Sequence, residues 1–372
     1  MEEALKYFEK RSTLGKELYE SNPRNIWLKN GLAISYERLG STHHSMGHMD
    51  EALRYFEDYN QLTKELYEVN PLIELLKDSF AISYHRLGEI HQAMGHMDEA
   101  LKYFENYNQL IKELYDANPL NESLKHGLAI SCERLGSAHQ AMGHMKEALK
   151  FFGNNTQLIK ELYEANPRSE NLKNDFAISY EKLGSVHQAM GHIEEALKYF
   201  EQFYQLIKEL YEANPRSERI KDDFAISYER IGFVHQAMGH MDEALKYFEN
   251  YNQLIKELYD ANPLSEPLKH GLAISYEELG SVHQAIGHME EALKNYKEGF
   301  KLAKVFYESN PQNIGLLEGL GISYYNIAII YKEIGKNDLG KENFSQWKNI
   351  ISILAKNYPQ VQKYKDWDNL EY

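Results

Sequence analysis

The thirty residues HQAMGHMDEALKYFENYNQLIKELYDANPL occur at 91–120 and again at 235–264, an offset of 144 positions. That offset is three times a shorter period. Pro23, Pro71, Pro119, Pro167, Pro215, Pro263, Pro311 and Pro359 follow one another in steps of 48, and only Pro267 stands outside the series. Gly40, Gly88, Gly136, Gly184, Gly232 and Gly280 keep the same step, as do Gly47, Gly95, Gly143, Gly191, Gly239, Gly287 and Gly335. A fixed period of this length marks an array in which each unit buries its apolar side against its neighbours. It divides the chain into a half unit, 1–22, seven units, 23–70, 71–118, 119–166, 167–214, 215–262, 263–310 and 311–358, and a tail, 359–372. No stretch remains for a separate domain, so one solenoid over 1–372 is expected. Arrays grow by copying like units, whereas a catalytic centre gathers unlike residues in one place.

Each unit reads as two helices. Pro119 stops the preceding helix, because it lacks an N–H and restricts the residue before it. Asn121 suits the N-cap that follows, as do Asn25, Ser169, Ser217, Ser265 and Asn313 in the same register, with Ile73 the exception. The first helix of this unit carries Leu124, Leu128, Cys132, Leu135 and Met142, and Gly143 is placed to end it. The glycines in general are expected to terminate helices. A second helix starts near Met145. In the preceding unit its stripe reads Ala100, Phe104, Tyr107, Ile111 and Leu114, steps of 4, 3, 4 and 3. The fold class is therefore all-α, with helices of roughly 20 residues, about 30 Å long.

Tyr84, Leu87, Gly88, His91, Gly95, Ala100 and Phe104 keep the spacing of the tetratricopeptide repeat, W-x2-L-G-x2-Y then Ala then Phe then Pro. The resemblance covers essentially the whole chain, with Tyr for Trp and His for Tyr in most units. The family norm is about 34 residues; here each helix gains a heptad, which is nearly two whole turns and leaves the buried face aligned. The resemblance implies a right-handed superhelix of tandem helix-turn-helix repeats whose first helices line a concave, partner-binding side. Met1 falls in register with Met49, so the chain opens on a second helix. That leaves two readings, an unusual first unit or one part of a longer protein. In the last unit Ala328 replaces the register glycine and Gly340 the register alanine, as suits a terminal cap.

Net charge is −15, with 41 Lys and Arg against 56 Asp and Glu. That sign disfavours nucleic acid, which needs a positive footprint, and an anionic membrane surface. No run of 18 uninterrupted apolar residues signals a transmembrane helix. A single cysteine gives no internal disulfide framework, so a reducing, cytoplasmic setting is the expectation.

Two histidine series, His43, His91, His139, His187, His235, His283 and His48, His96, His144, His192, His240, His288, sit five apart in each unit. The first takes the place of a packed Tyr and the second follows the glycine turn, so packing and capping are favoured over metal binding. No metal, cofactor or catalytic residue is expected. Cys132 shares the inward register of Tyr36 and Tyr84 and reads as core. Arg38, Arg86, Arg134 and Lys182 form a basic register read as a charge-paired, solvated face.

The partner-facing positions follow from the resemblance. They are Glu37, His85, Glu133, Glu181, Glu229, Glu277 and Tyr325, then Gln92, Gln140, Gln188, Gln236 and Gln284, and, in the added heptad, Asp78, His126, Asn174, Asp222 and His270. Such a surface is polar and acidic over a row of Ile. It implies a non-catalytic scaffold for a protein or peptide carrying Lys or Arg. The alternative is a regulatory or sensor array of a larger multidomain protein. End-to-end self-association through the exposed side of the first half unit is a further expectation.

Overall fold

The computed structural model describes residues 2–372, apart from the side chains of Glu2 and Ala4; the register of Met1 lies outside the described residues. Among them every element is helical. The chain opens with α1, Glu2–Ser21. First helices of the repeats are α2 (Ile26–Ser45), α4 (Glu74–Ala93), α6 (Glu122–Ala141), α8 (Glu170–Ala189), α10 (Glu218–Ala237), α12 (Glu266–Ala285) and α14 (Ile314–Glu333). Second helices are α3 (Met49–Val69), α5 (Met97–Ala117), α7 (Met145–Ala165), α9 (Ile193–Ala213), α11 (Met241–Ala261), α13 (Met289–Ser309) and α15 (Asn337–Asn357). The chain forms two compact units, Met1–His192 and Ile193–Tyr372. Within each, a helix packs on the helices before and after it in sequence.

Local chemistry sets the boundaries. The Asn25 side chain accepts from the Trp27 and Leu28 amides at 2.9 and 3.2 Å, and Ser169 Oγ accepts from the Leu172 amide at 3.3 Å. Each satisfies an orphan donor of the first turn, worth about 1 kcal/mol. Ile73 holds the same backbone conformation with no side-chain cap. At the other end Gly143 sits at φ +79°, and the six other glycines of its series are likewise left-handed, a region open to Gly at little cost.

The Gly88 series corrects the expectation that glycines end helices. Gly88, Gly136 and Gly232 lie inside α4, α6 and α10. A Cβ built on Gly136 would stand 2.7 Å from Phe152, and one on Gly232 2.8 Å from Phe248. The missing side chain is what lets the two helices of a repeat close over the phenylalanine. Phe104, Phe152, Phe200 and Phe248 are all fully buried. Each contributes roughly 2–3 kcal/mol by burial.

Ala100, Phe104, Tyr107, Ile111 and Leu114 are the buried residues of α5. First helices bury more than one stripe. In α6, Leu128, Cys132 and Leu135 are buried, but so are Ala129, Ser131, Gly136 and Ala138, while Leu124 and Met142 are only half-buried. The cause is that α6 packs between α5 and α7, so two of its sides are covered. Ser131 is accommodated because its hydroxyl donates to the Leu128 carbonyl at 2.7 Å and accepts from Asn108 Nδ2 at 2.7 Å. Burial pushes the Cys132 thiol up to about 11, which keeps it protonated and unreactive.

Among the described residues α14 alone is long and apolar enough by composition to cross a membrane. Its Leu320, Ile327, Ala328, Ile330 and Tyr331 are instead buried in the packed unit. The tail, 359–372, is partly helical. Gln362–Asp368 forms a short helix, α16, and Tyr364 joins a cluster with Phe344, Trp347, Ile350, Ile351 and Leu354. Tyr364 and Lys363 both donate to Glu318, at 2.6 and 2.7 Å.

Candidate functional site

Asp78, Ile82, His85, Glu89 and Gln92 follow each other along α4 in steps of 4, 3, 4 and 3, and so share one side of the helix. The same register on the other first helices assembles the candidate face.

In the unit Met1–His192 this face is not an open acidic surface, and that expectation is corrected. Arg86 donates from Nε to Glu37 at 3.0 Å and from Nη1 to Glu89 at 3.0 Å. Arg134 reaches the other Glu89 oxygen at 2.9 Å and His85 Nε2 at 3.2 Å. Arg86 and Arg134 thus reach across to the preceding repeat, forming a ladder of guanidinium and carboxylate between helices, whereas Lys182 stands 3.8 Å from its own chain neighbour Glu181. Burial works to raise the Glu89 carboxyl, but His85, Arg134 and Arg86 outweigh it and hold it below the usual range. Burial pushes His85 down to about 4, so near neutral pH the two arginines alone carry that effect. Ser41 and Ser185 donate to Glu37 and Glu181 at 3.2 and 3.0 Å. His126 Nε2 lies 3.3 Å from Asp175, and that hydrogen bond raises the imidazole pKa against the effect of burial. Burial raises the Asp78 carboxyl. Gln92, Gln140 and Gln188 are half-buried. Asn174 is 4% exposed, so it is unavailable to a partner and drops out of the face.

A recess of about 330 Å³ opens on this face between α6 and α8 and includes Glu133. Asn155 lines it and stands where the other repeats have Tyr59, Tyr107, Phe203, Tyr251, Gly299 and Trp347.

In the unit Ile193–Tyr372 the ladder breaks. Glu278 occupies the position of Arg86, Arg134, Lys182 and Arg230. Burial, reinforced by Glu277 and Glu229, pushes its carboxyl up to about 7. Burial also raises Glu277, which accepts a hydrogen bond from Ser323 at 3.2 Å. Gln236 donates to Ser281 at 3.3 Å, and Gln284 donates to Glu333 at 3.1 Å while accepting from the Tyr296 hydroxyl at 3.2 Å. Burial raises Asp222. Tyr325 packs on Trp347 with ring centroids 5.0 Å apart, inside the C-terminal aromatic cluster. His270 is exposed, with its ring edge-on to Phe306.

Glu278 and Asn155 were not among the sequence-derived site residues. Both are legible as breaks in register, an acid in a basic series and an amide in a series that is aromatic except at Gly299.

The histidine pairs pack ring against ring, 5.8 Å between centroids for His91 and His96, with His91 stacked on Tyr103 at 5.2 Å. The second series occupies N-cap positions, as His96 does, without a side-chain cap bond. No group of three or more His, Cys, Asp or Glu among the described residues is arranged to hold a metal ion.

Family models described as tetratricopeptide repeat match residues 33–65 and 81–112, 176–216 and 223–304. Among curated proteins none matches. Among solved structures, the chain is similar to a signal transduction ATPase with numerous domains (STAND) that has a tetratricopeptide repeat sensor, from Pyrococcus horikoshii. The TM-score is 0.62 at 13% identity, over 97% of this chain and 48% of that one. The apo form of RapI gives a TM-score of 0.56 at 14% identity, over 86% of this chain and 98% of that one. Aspartyl phosphate phosphatase F from Bacillus subtilis gives 0.55 at 14% identity, over 90% and 73%. At these identities the likeness is one of fold. Helix pairs closing over a buried Phe, or over Tyr296 in the sixth repeat, at each 48-residue step, together with the family matches in both units, place the chain in the tetratricopeptide repeat family.

Proposed function

We infer that this chain is a non-catalytic interaction array whose first-helix face takes a peptide segment of a protein partner bearing Lys or Arg. The observation that carries the reading is Glu278. In the first unit the array supplies its own guanidiniums to Glu37 and Glu89. At Glu278 the register cation is replaced by an acid, beside Glu277 and Glu229. A partner ammonium or guanidinium would supply the missing charge and lower those carboxyl pKa values on binding. The overall charge of −15 would speed approach of a basic segment and repel nucleic acid and anionic lipid. A reducing, cytoplasmic setting belongs to the same reading, with its single thiol buried.

The test is fluorescence anisotropy with a labelled Lys- and Arg-containing peptide against the full chain and the Glu277→Gln, Glu278→Gln double variant. Binding at least tenfold weaker in the variant, with affinity falling as salt rises, is expected. Equal binding by both proteins sinks the reading.

A second reading, the sensor part of a larger regulatory protein, is supported by the Pyrococcus STAND protein, of which the similar part is about half. Intact mass of the natural protein from its source separates the two. A mass near 43.4 kDa, that of this chain, counts against the second.

A further inference from the structure

The recess over Asn155 has a specific shape, because the array shows what normally fills it. Tyr59, Tyr107 and Tyr251 are buried between two successive first helices. Each donates its hydroxyl to a main-chain carbonyl of the following first helix: Tyr59 to Ser79 at 3.1 Å, Tyr107 to Gly127 at 3.1 Å and Tyr251 to Gly271 at 3.4 Å. In the third repeat that ring is gone, as it is in the sixth, where Gly299 holds the position. Asn155 turns back and donates to the Ala129 carbonyl of its own first helix at 2.9 Å. By register, the matching acceptor of the next first helix is the carbonyl of Asp175, a residue that lines the recess. The space left is about 330 Å³, over a floor of Ile130, Ile159 and Ile178. The His126–Asp175 pair, at 3.3 Å, stands at its rim. A ring-sized recess with three branched aliphatic side chains and one carbonyl suits an amphipathic aromatic group, which buries much area and keeps one hydroxyl to be satisfied.

We propose that the recess between α6 and α8 is a side-chain pocket for a tyrosine of the bound partner, which takes the place of the tyrosine that this repeat lacks. The proposal deepens the reading of the first-helix face as a peptide site and rests on it. The partner's ring would lie on Ile130, Ile159 and Ile178 and donate its hydroxyl to the Asp175 carbonyl. Glu133 at the wall favours a basic neighbour in the partner's sequence. Specificity of the array would then reside in a deleted ring in one unit and an inverted charge in the other.

The test uses p-cresol, the tyrosine side chain as a free molecule, with the full chain followed by saturation-transfer NMR and titration calorimetry. Saturable binding is expected in the wild type. Asn155→Tyr, which puts the array's own ring back, should weaken it at least tenfold and raise the melting temperature. Toluene, which lacks the hydroxyl, should bind several-fold more weakly than p-cresol. No saturable p-cresol binding, or equal binding by wild type and Asn155→Tyr, overturns the proposal; toluene binding as well as p-cresol overturns the choice of tyrosine. Should Asn155→Tyr misfold, Ile178→Asp read by the same titration puts a charge on the floor and must abolish binding. The Glu277→Gln, Glu278→Gln protein should bind p-cresol like the wild type, so failure of the basic-peptide reading and failure of this pocket are read separately.

Discussion

In repeats one to three the candidate face carries a ladder in which Arg86 and Arg134 tie Glu37, His85 and Glu89 together across helices. In repeats five and six Glu229 and Glu277 continue the Glu37 register, but the basic register, still Arg230 in repeat five, becomes Glu278 in repeat six. The frame beneath is the same in both: Phe104 and Phe248 are each fully buried against a helical glycine. The Phe–Gly contact of repeats two and five is thus held constant while charge is varied from repeat to repeat. The lesson is that an array can copy its core and still differentiate its surface by single substitutions, because the two sets of residues lie on different sides of the same helices.

The largest expected effect tests whether the frame is shared. Phe104→Ala and Phe248→Ala should each destabilise by about 3–5 kcal/mol in urea unfolding, and by similar amounts. A large difference between them would break the premise that only the surface differs. Gly136→Ala and Gly232→Ala place a methyl 2.7 and 2.8 Å from a buried ring, so each should cost about 1–3 kcal/mol, again alike. The smallest effect addresses the charge contrast itself. Glu278 titrates near 7 when folded against an ordinary 4.5, so the folded chain holds a proton that the unfolded chain releases. Stability should therefore fall as pH rises from about 4.5 to about 7, by on the order of 2 kcal/mol. The Glu278→Gln protein should lack this slope in urea midpoints measured across that window. Persistence of the full slope in the variant would assign it elsewhere. The Arg86 and Arg134 ladder should give a slope of the opposite sign over the same window, because the folded chain leaves His85 uncharged down to about 4 while the unfolded chain protonates it near 6.5, so this contribution to stability rises with pH.

Much of the architecture could be read from spacing. Proline, N-cap and glycine series at 48-residue steps predict helix ends, and Ala100, Phe104, Tyr107, Ile111 and Leu114 predict the buried stripe of α5. The helical role of Gly88 could not be read that way, because a glycine that admits a neighbouring ring and a glycine that turns the chain look alike in one dimension. The face was legible only as a register. Its charge balance depends on Arg86 crossing to Glu37 of the previous repeat, 49 residues away. The loss of Asn174 to burial likewise depends on what lies over it.

The sequence by itself determined the period, the helix pairs, the caps and the family, because these rest on local propensities repeated at a fixed step. Tertiary structure decided which acids are neutralised, which remain in excess, and that Asn155 leaves a ring-sized space. Those outcomes arise between helices, where distance in space, burial and the local dielectric set the energy of each charge and each void.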